Sequence, residues 1–551
     1  MDRRFFLTVV VCIAILALWQ TFVAPPPKRI TTDNHAVNQN PQSTSPNDSQ
    51  PTISPQTIIE PKNPAMMGAD VASYHEKTSS FENDLFSAEV TTTGGGLRHF
   101  VLKQFKEGAR KRKQEKHPVS LVSAVDEQEV PTAQLLLAGA PVLFSEVQAT
   151  TDGADLKGEQ SGLAIHLHWQ TQLQAYLLKV TTDIENKSAQ PIEVATSFKL
   201  QGIFNERAVK DRSMFEPPPD ILTAVALSDQ HLVRHTIGKK DDVSTQERLF
   251  WAGIDRQYFL FAAAPTTSDR QNSVFSEDRE IKDSRLLHVA TTLSPVSKTL
   301  APGQKTHLEY QIFAGPKEVA LLKAPGLHFE DAIDYNVWGM PLAFIARPML
   351  WVLNTSYRIF HSYGVAIIIL TLVVKLLMLP VTQRAFISMQ RMRELKPELD
   401  KIKERFPNDR EKQGMETMRL YKERNVNPFL SGCLPMLLQM PVYIALWRTL
   451  WVAVELYQKD FLWLSDLTAR DPYFVLPATL GLSIFLQNKL SPPVGDAQQQ
   501  KIMTFMMPAM MTLFMVQLPA GLVFYSLVNT LLTIAQQAYI NKRFSNTSTI
   551  R

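Results

Sequence analysis

Cysteine is almost absent from this chain, which has only Cys12 and Cys433 among its 551 residues. Both lie in apolar stretches, so the sequence holds no disulfide framework, no thiolate metal cluster and no C-x-x-C redox pair. The polar region between them gives no indication of a redox compartment. These absences exclude disulfide-stapled and thiol-dependent classes of protein.

Motifs for nucleotide and hydrolytic chemistry are also missing. The sequence has no Walker-A pattern, no nucleophile elbow and no H-E-x-x-H, which are the patterns typical of phosphate-binding, serine-hydrolase and zinc-protease sites. The formal net charge of +4 is too small to indicate a nucleic-acid partner. The missing Walker-A pattern argues against direct use of ATP. We expect a protein that is not an enzyme, with no catalytic residues, no cofactor and no metal.

The N-terminal third begins with an apolar segment. Residues 5–23 contain only three polar side chains and follow Arg3 and Arg4, so we interpret residues 1–23 as a retained transmembrane anchor with a cytoplasmic N-terminus. Residues 24–70 are rich in Pro, Asn, Gln, Ser and Thr, a composition typical of a flexible linker.

Short alternating runs fill the next region, from about residue 80 to residue 313. Residues 165–169, 175–180 and 192–198 are examples, and turn residues such as those at 185–191 separate them. Period-two alternation at this spacing predicts an all-β sandwich. We assign it to residues 71–330, and the orientation of the anchor places this domain in the periplasm.

The remainder of the chain has a helical pattern. Residues 331–363 combine Trp351 and Tyr357 with Arg347 and Arg358, which favours an amphipathic helix at the membrane interface; a partly buried helix of a soluble domain is the alternative. Five apolar stretches follow, at 364–381, 430–454, 473–490, 502–517 and 521–540.

With the anchor, these stretches predict six spans: span 2 at 364–382 and spans 3 to 6 within 428–545. The loop at 383–427 holds twelve Lys or Arg and eight Asp or Glu. The positive-inside bias therefore places this loop and the C-terminus in the cytoplasm of an inner-membrane, multi-pass protein. Near the outer end of the third span, Arg448 is expected to reach lipid headgroups.

Lys375 is the charged residue that stands out, because it lies near the middle of span 2 and the five stretches contain no Asp or Glu. A lysine at that depth costs about 2.5–3.5 kcal/mol on insertion-derived scales. A hydrated cavity or a partner anion would offset this cost, and snorkelling of the side chain toward the interface is the alternative.

A polar stripe on the last span supplies the rest of the predicted cavity. Tyr525, Asn529, Thr533 and Gln536 share one helical face, while Gln439 interrupts the third span and Thr371 lies one turn from Lys375. Hydrogen bonding between helices explains each residue taken alone. A cation beside a polar stripe without an acid favours a hydrophilic groove that attracts acidic or polar peptide.

The cytoplasmic loop is itself predicted to be a basic helical hairpin. Apolar residues recur at steps of three and four between Phe386 and Phe406, which predicts one helix that Pro407 ends. A capping box from Asn408 to Glu411 predicts a second helix, with Met415 and Met418 facing inward. The basic residues assigned to the hairpin are Arg391, Arg393, Lys396, Lys401, Lys403 and Arg405.

Several motifs together resemble the YidC/Oxa family of membrane protein insertases. They are Asn427-Pro428, Gly432-Cys433-Leu434-Pro435, Gln439-Met440-Pro441, the segment from Asp471 to Pro477, the segment from Gln499 to Pro508, the segment from Pro519 to Tyr525, and Gln536-Gln537. They cover the last two hundred residues densely.

The resemblance implies the function of an insertase and chaperone, which inserts and folds integral membrane proteins in the inner membrane, and it implies a fold. The fold is a multi-domain membrane protein with an all-α six-span part, consisting of a five-helix insertase core and the anchor, and a periplasmic all-β super-sandwich. The groove opens to cytoplasm and lipid and is closed toward the periplasm. The residues carried over are the groove cation Lys375 and the positions Gln439, Met440, Pro441, Tyr525 and Thr533.

The resemblance also implies partners: nascent and newly made membrane proteins, which the hairpin receives, membrane lipids, and the Sec translocon and ribosome. Relatives usually have Arg at the cation and many have a second Tyr where this chain has Ser526. The linker after Pro428 is one residue longer than expected.

Two other classes of function are alternatives. A secondary transporter also keeps intramembrane cations, but the sequence has no internal repeat and no acidic coupling site. A Ser–Lys hydrolase would need a serine beside Lys375.

Overall fold

A computed structural model of the chain describes residues 74–106, 117–122, 124–125, 128–172, 175–205, 221–229, 231–234, 243–245, 249–266, 271–279, 286–337, 340–407, 409–424, 434–490 and 502–548. The predicted anchor at 1–23 and linker at 24–70 lie outside these residues. The described chain has a β part followed by a helical part.

The β part contains the following strands: β1 Thr78–Glu82, β2 Phe86–Thr91, β3 Leu97–Lys106, β4 Pro118–Ser120, β5 Ala124–Val125, β6 Gln128–Glu129, β7 Gln134–Leu137, β8 Ala140–Pro141, β9 Glu146–Thr150, β10 Gly153–Gln160, β11 Leu163–Thr171, β12 Leu177–Asn186, β13 Ile192–Val194, β14 Thr196–Asn205, β15 Thr223–Ser228, β16 Leu232–Arg234, β17 Val243–Thr245, β18 Leu249–Asp255, β19 Phe259–Pro265, β20 Gln271–Arg279, β21 Leu286–Pro295, β22 Lys298–Leu300, β23 Lys305–Pro316, β24 Asn336–Val337 and β25 Met340–Pro341.

Antiparallel pairing joins the described strands into three larger sheets. The largest has nine strands in the order β16-β15-β18-β19-β23-β12-β11-β10-β9, the second has six in the order β17-β20-β21-β14-β7-β8, and the third has four in the order β1-β2-β3-β4. The short pairs β13–β22, β24–β25 and β5–β6 complete the pattern.

Alternation of apolar and polar residues explains why these segments form half-buried strands. In β11, Leu163, Ile165, Leu167 and Trp169 are buried, while His166 and His168 lie on the opposite face. The prediction of a β-rich domain is confirmed. One predicted strand was wrong: residues 192–198 divide at Ala195 between β13 and β14, which pair in different sheets.

One face of the nine-stranded sheet carries the core. Tyr310 of β23 stacks on Phe198 of the six-stranded sheet at 4.7 Å between ring centroids, and Phe261 of β19 meets Phe100 of the four-stranded sheet at 6.1 Å. The register pairs Phe261 with Ala314, four residues from Tyr310. Both rings therefore point to the same face, and the two smaller sheets cover it.

The helical part contains nine helices in the described residues: α1 Val319–Lys323, α2 Ala343–Phe360, α3 Tyr363–Glu394, α4 Lys396–Arg405, α5 Arg410–Glu423, α6 Leu434–Val452, α7 Val475–Leu490, α8 Met507–Met515 and α9 Ala520–Ser548. Short 3-10 helices occupy Phe329–Ala332 and Val454–Leu456, and a π-helical turn at Ile502–Met506 precedes α8.

Within the described residues, α3 has a window, Tyr363–Pro380, that is long and apolar enough to cross a membrane, and 33% of this window is buried. A core helix of a soluble protein would be mostly buried. Helix α8 is shorter and also apolar. Each of the five apolar stretches found in the sequence contains a described helix.

The boundary between span 2 and the first helix of the hairpin differs from the prediction. Helix α3 continues without interruption from Tyr363 through Pro380 to Glu394. The helical conformation is then interrupted at Leu395, before α4 begins. The predicted single helix from Phe386 to Phe406 is therefore wrong. Its end before Pro407 is confirmed, since α4 ends at Arg405.

Small residues allow close packing in the helical part. A Cβ built on Gly481 of α7 would lie 1.9 Å from the Thr512 hydroxyl of α8. The Thr512 hydroxyl also donates to the Pro508 carbonyl at 2.8 Å, which keeps it within its own helix. Helices α7 and α8 thus pack closely because a glycine faces a small side chain.

The β part docks on the end of α6. The Tyr457 hydroxyl donates to the Lys106 carbonyl at 2.7 Å, and its ring lies 5.0 Å from Tyr258 and 5.9 Å from Phe259. The Gln257 amide donates to the Trp451 carbonyl at 3.3 Å. The end of β3 and the turn between β18 and β19 therefore fix the position of the chain that follows α6.

Candidate functional site

Lys375 lies on α3, about 18 Å from Tyr363 at a rise of about 1.5 Å per residue. Its amine donates a 2.7 Å hydrogen bond to the Thr533 hydroxyl on α9, which itself donates to the Asn529 carbonyl at 2.7 Å. The side chain is half-buried. No carboxylate among the described residues pairs with it, so two of its three ammonium hydrogens remain available to a ligand.

A second polar contact between α3 and α9 lies farther along both helices. The Gln536 amide donates to the Thr382 hydroxyl at 3.2 Å, and Thr382 donates to the Met378 carbonyl at 3.0 Å. The stripe on α9 thus faces α3 at Thr533 and Gln536. Sequence reasoning missed Thr382, although its spacing of seven residues from Lys375 places it on the same helical face.

Two other predicted groove residues are buried in the helix bundle. Thr371 is fully buried, and its hydroxyl donates to the Ile367 carbonyl of its own helix at 2.7 Å. Tyr525 is also fully buried. Asn529 is half-buried beside Thr533. In this conformation Thr371 and Tyr525 therefore pack the wall behind the site and do not line its exposed surface.

The predicted residues of the third span lie on α6. Met440 is exposed, and Pro441 is half-buried inside the helix. The side chain of Gln439 is outside the described part of the structure. A contact that the sequence did not indicate joins α6 to α9, since the Tyr443 and Ser526 hydroxyls lie 3.4 Å apart.

Large apolar side chains are exposed on several helices of this part. Leu372, Leu376 and Leu377 of α3 and Leu531 of α9 are exposed, and so are the following residues of α7, α8 and their neighbourhood: Leu482, Leu486, Phe505, Met506, Met507, Met510, Leu513 and Phe514. Exposed apolar side chains in this number are unfavourable in water. They fit a surface in contact with lipid.

The opposite end of the bundle is closed by the segment between α6 and α7. The Phe461 ring lies against Gly364 at the start of α3; a Cβ atom added to Gly364 would lie 2.1 Å from this ring. The Phe461 and Phe524 ring centroids are 5.1 Å apart. The backbone amides of Ala520 and Gly521 donate to the carbonyls of Ala469 and Leu467. This segment therefore ties α3 and α9 together at this end.

Asp471 organises that segment. The side chain is 3% exposed and accepts hydrogen bonds from the Trp463 indole at 3.1 Å, the Tyr473 amide at 3.0 Å and the Leu476 amide at 2.7 Å. The Leu476 bond caps the first turn of α7, where free amides and the helix dipole favour an anion, and the Tyr473 bond closes the turn that leads into this helix. The indole bond fixes the preceding loop to the same helix end.

The hairpin of α4 and α5 differs from its prediction in two details. Met415 and Met418 are 58% and 59% exposed, so the prediction that they face inward is wrong. Leu395 and Leu420 are buried instead, and Arg424 pairs with Glu398 at 2.6 Å across the hairpin. The apolar side chains buried at the hairpin are therefore these leucines, not the methionines.

The N-cap of α5 is Asp409, one residue after the predicted start of the capping box at Asn408. The Asp409 carboxylate accepts a hydrogen bond from the Lys412 amide at 3.1 Å. Of the predicted basic residues, Arg391, Lys401, Lys403 and Arg405 are exposed. The side chains of Arg393 and Lys396 are outside the described part.

Arg448 does not extend toward lipid headgroups. Its guanidinium donates to the Asp334 carbonyl at 2.7 Å and pairs with the Asp334 carboxylate at 2.9 Å. Asp334 follows Ala332, whose carbonyl accepts from Arg234 of the β part. The expectation for Arg448 was therefore wrong, because the chain that joins the β part to α2 supplies a closer anion.

The features above define a protein with a β domain docked on one end of a helical bundle, a helix in that bundle that is long and apolar enough to cross a membrane, and a cation between two of its helices. Among the described residues, no three His, Cys, Asp or Glu side chains form a metal cluster.

Comparisons with known proteins agree with this class. The family model described as YidC periplasmic domain matches residues 78–352, and the model described as 60Kd inner membrane protein matches residues 355–547. A protein named membrane protein insertase YidC from Syntrophus aciditrophicus (strain SB) is 32% identical over 573 residues, which cover 98% of this chain and 100% of the relative.

A second protein of that name, from Anaeromyxobacter dehalogenans (strain 2CP-1 / ATCC BAA-258), is 34% identical over 487 residues, or 85% of each chain. A crystal structure described as an active YidC insertase with the first transmembrane domain resolved matches with 18% identity and a TM-score of 0.38, covering 85% of this chain and 93% of that one.

The chain belongs to the YidC family of inner-membrane proteins. The β part is the periplasmic domain of this family. That domain contacts Trp451 and Tyr457, at and just after the end of α6.

Proposed function

We propose that this protein is a membrane protein insertase that inserts and folds integral membrane proteins in the inner membrane. Relatives that align over 85% of this chain or more carry the name membrane protein insertase YidC. The observation that carries the proposed mechanism is the Lys375 amine, which is held by Thr533 and has no acidic partner among the described residues.

In the proposed mechanism, the polar end of a substrate segment enters a hydrophilic groove between α3 and α9. An acidic group there replaces water on the two remaining ammonium hydrogens of Lys375. The apolar body of the segment then slides along the exposed side chains beside the groove, from Leu372 and Met440 into lipid. The groove shortens the apolar distance that the polar end must cross.

The driving force does not require covalent chemistry. Transfer of apolar surface into lipid contributes about 25 cal/mol per Å², and the membrane potential contributes about 2.3 kcal/mol per charge per 100 mV on an acidic end. The proposed protein is therefore not an enzyme and uses no cofactor. The periplasmic end stays closed by the segment that Asp471 organises, so the groove opens to the cytoplasm and to lipid.

The remaining architecture is part of the same proposal. It comprises six spans with both termini in the cytoplasm, a periplasmic super-sandwich, and a basic hairpin that receives nascent membrane proteins from the ribosome or beside the Sec translocon. The exposed Met415 and Met418 suit transient contact with apolar segments, because methionine is flexible and polarizable.

Reconstitution tests the function itself. Liposomes that contain the purified full chain are expected to insert a small single-span protein with an acidic translocated tail, without ATP. Insertion is measured as protection of this tail inside the liposomes from protease added outside. Protein-free liposomes and liposomes that contain an unrelated membrane protein of similar size are the controls. Equal protection in all three preparations would refute the insertase function, and uptake of a solute in the same vesicles would favour a transporter.

A further inference from the structure

A buried carboxyl group joins the interfacial helix to the periplasmic end of the third-span helix. Glu455 lies in the 3-10 helix Val454–Leu456, just after α6 ends at Val452, and its side chain is buried. Its Oε1 accepts a 3.1 Å hydrogen bond from the Asn354 amide of α2. This contact links two helices that are 101 residues apart in sequence.

Two acceptor atoms at this contact lack a hydrogen-bond donor among the described residues. Glu455 Oε2 and Asn354 Oδ1 are both buried and accept no hydrogen bond from any residue that the structure describes. An ionised carboxylate would leave a full acceptor unsatisfied in this position, which is costly in a buried site. A neutral carboxylic acid removes the problem, because its hydroxyl is a donor.

The groups that face Glu455 do not favour a negative charge. They are the Tyr335 phenol, the Tyr363 phenol at the start of α3, and the carboxyl of Glu318 beside α1. The nearby cations Arg358 and Lys459 act on Glu318. Burial raises the pKa of Glu455 from 4.5 to about 7, and the hydrogen bonds from its own backbone amide and from Asn354 lower it less.

We propose that Glu455 is a positioning residue that holds α2 against the periplasmic end of α6 as a neutral carboxylic acid, and that ionisation of Glu455 loosens this contact. The contact makes the position of the interfacial helix sensitive to the pH of the periplasm. It is independent of the insertase function, since it concerns only the protonation and packing of the folded chain.

The sign of the pH effect follows from the two states of the contact. When the contact opens, Glu455 returns to its ordinary pKa of 4.5. The closed form binds the proton more tightly, so the closed contact is most stable at low pH and weakens as pH rises between 4.5 and about 7. Opening increases about tenfold per pH unit within this window and is constant above it.

Amide hydrogen exchange of the full chain in lipid nanodiscs tests this proposal. After correction for intrinsic exchange rates, protection of the α2 amides is expected to fall more than about tenfold from pH 5.5 to pH 7.5. Protection of β11 amides in the periplasmic domain is expected to stay constant. In Glu455→Gln, which keeps a neutral group with a donor, α2 protection is expected to be high and independent of pH.

Glu318→Gln is the matched control, because it makes the same change at the neighbouring carboxyl and is expected to leave the pH dependence of α2 in place. If Glu455→Gln does not accumulate, Glu455→Met serves in its place and is also expected to abolish the pH dependence. The proposal is overturned if wild-type α2 shows no pH dependence, or if the dependence persists without Glu455 or disappears with Glu318→Gln.

Discussion

Cells that depend on the Lys375→Glu variant are expected to insert a small membrane protein with an acidic translocated tail at least about a hundredfold less efficiently than wild type. The reason is electrostatic: two unit charges about 6 Å apart at an effective dielectric constant of about 20 interact by about 3 kcal/mol. The reversal turns an attraction into a repulsion. Lys375→Ala removes the attraction alone and is expected to have a smaller effect in the same direction.

Lys375→Arg is expected to retain insertion, because it keeps the charge and can donate to Thr533. The measurement is the fraction of the pulse-labelled tail that becomes accessible to external protease in spheroplasts. Lys489 on α7 provides a control lysine: it is exposed and lies over the Phe485 ring at 4.9 Å. Lys489→Glu is expected to leave insertion near the wild-type level.

If Arg, Ala and Glu at position 375 all support normal insertion, Lys375 is a tolerated polar residue and the electrostatic part of the mechanism is wrong. Variants must be compared at equal amounts in the membrane.

The second large effect concerns the closed periplasmic end. Asp471→Ala is expected to lower the free energy of unfolding by about 2 to 5 kcal/mol, since loss of the bond that caps α7 costs about 1 to 2 kcal/mol and the other donors left without an acceptor add about 1 to 3 kcal/mol together. Its carboxylate serves the Trp463 indole and the amides of Tyr473 and Leu476. Asp471→Asn is expected to be milder, because it keeps one acceptor oxygen.

Equilibrium unfolding of the full chain in mixed detergent micelles measures this loss. Asp409→Ala is the matched control, because Asp409 also caps a helix through a side-chain bond to a backbone amide, but its side chain is 42% exposed. That change is expected to cost about 1 kcal/mol. An equal loss in the two variants would show that Asp471 acts only as an ordinary cap and does not organise the loop.

The sequence predicted elements well wherever one local pattern decides them. Period-two alternation identified β11 and β12, and long apolar runs identified α3, α6 and α9, because burial on one face or contact with lipid requires those patterns. Residues 192–198 failed because a strand can change sheets at one residue, here Ala195, without losing its alternation.

The sequence predicted less about which side chains meet. Lys375 and the stripe on α9 were recognised from their cost and spacing, but their contact depends on how α3 and α9 pack. Thr371 lies on the side of α3 that faces the bundle. Arg448 pairs with Asp334, which is 114 residues away in sequence, and no local sequence pattern indicates such a partner. The outward position of Met415 and Met418 likewise depends on how α4 and α5 pack.

The most direct test of the groove is site-specific photo-crosslinking with a substrate arrested during insertion. Leu372 is 40% exposed and lies one turn from Lys375 on the same face of α3, while Leu482 is 68% exposed on α7. A photo-reactive residue at position 372 is expected to crosslink the substrate near its acidic end, and crosslinking is expected to fall when that end is made basic; position 482 should give little. Equal crosslinking at both positions, or crosslinking at 372 that ignores the charge of the substrate, would contradict a groove organised around Lys375.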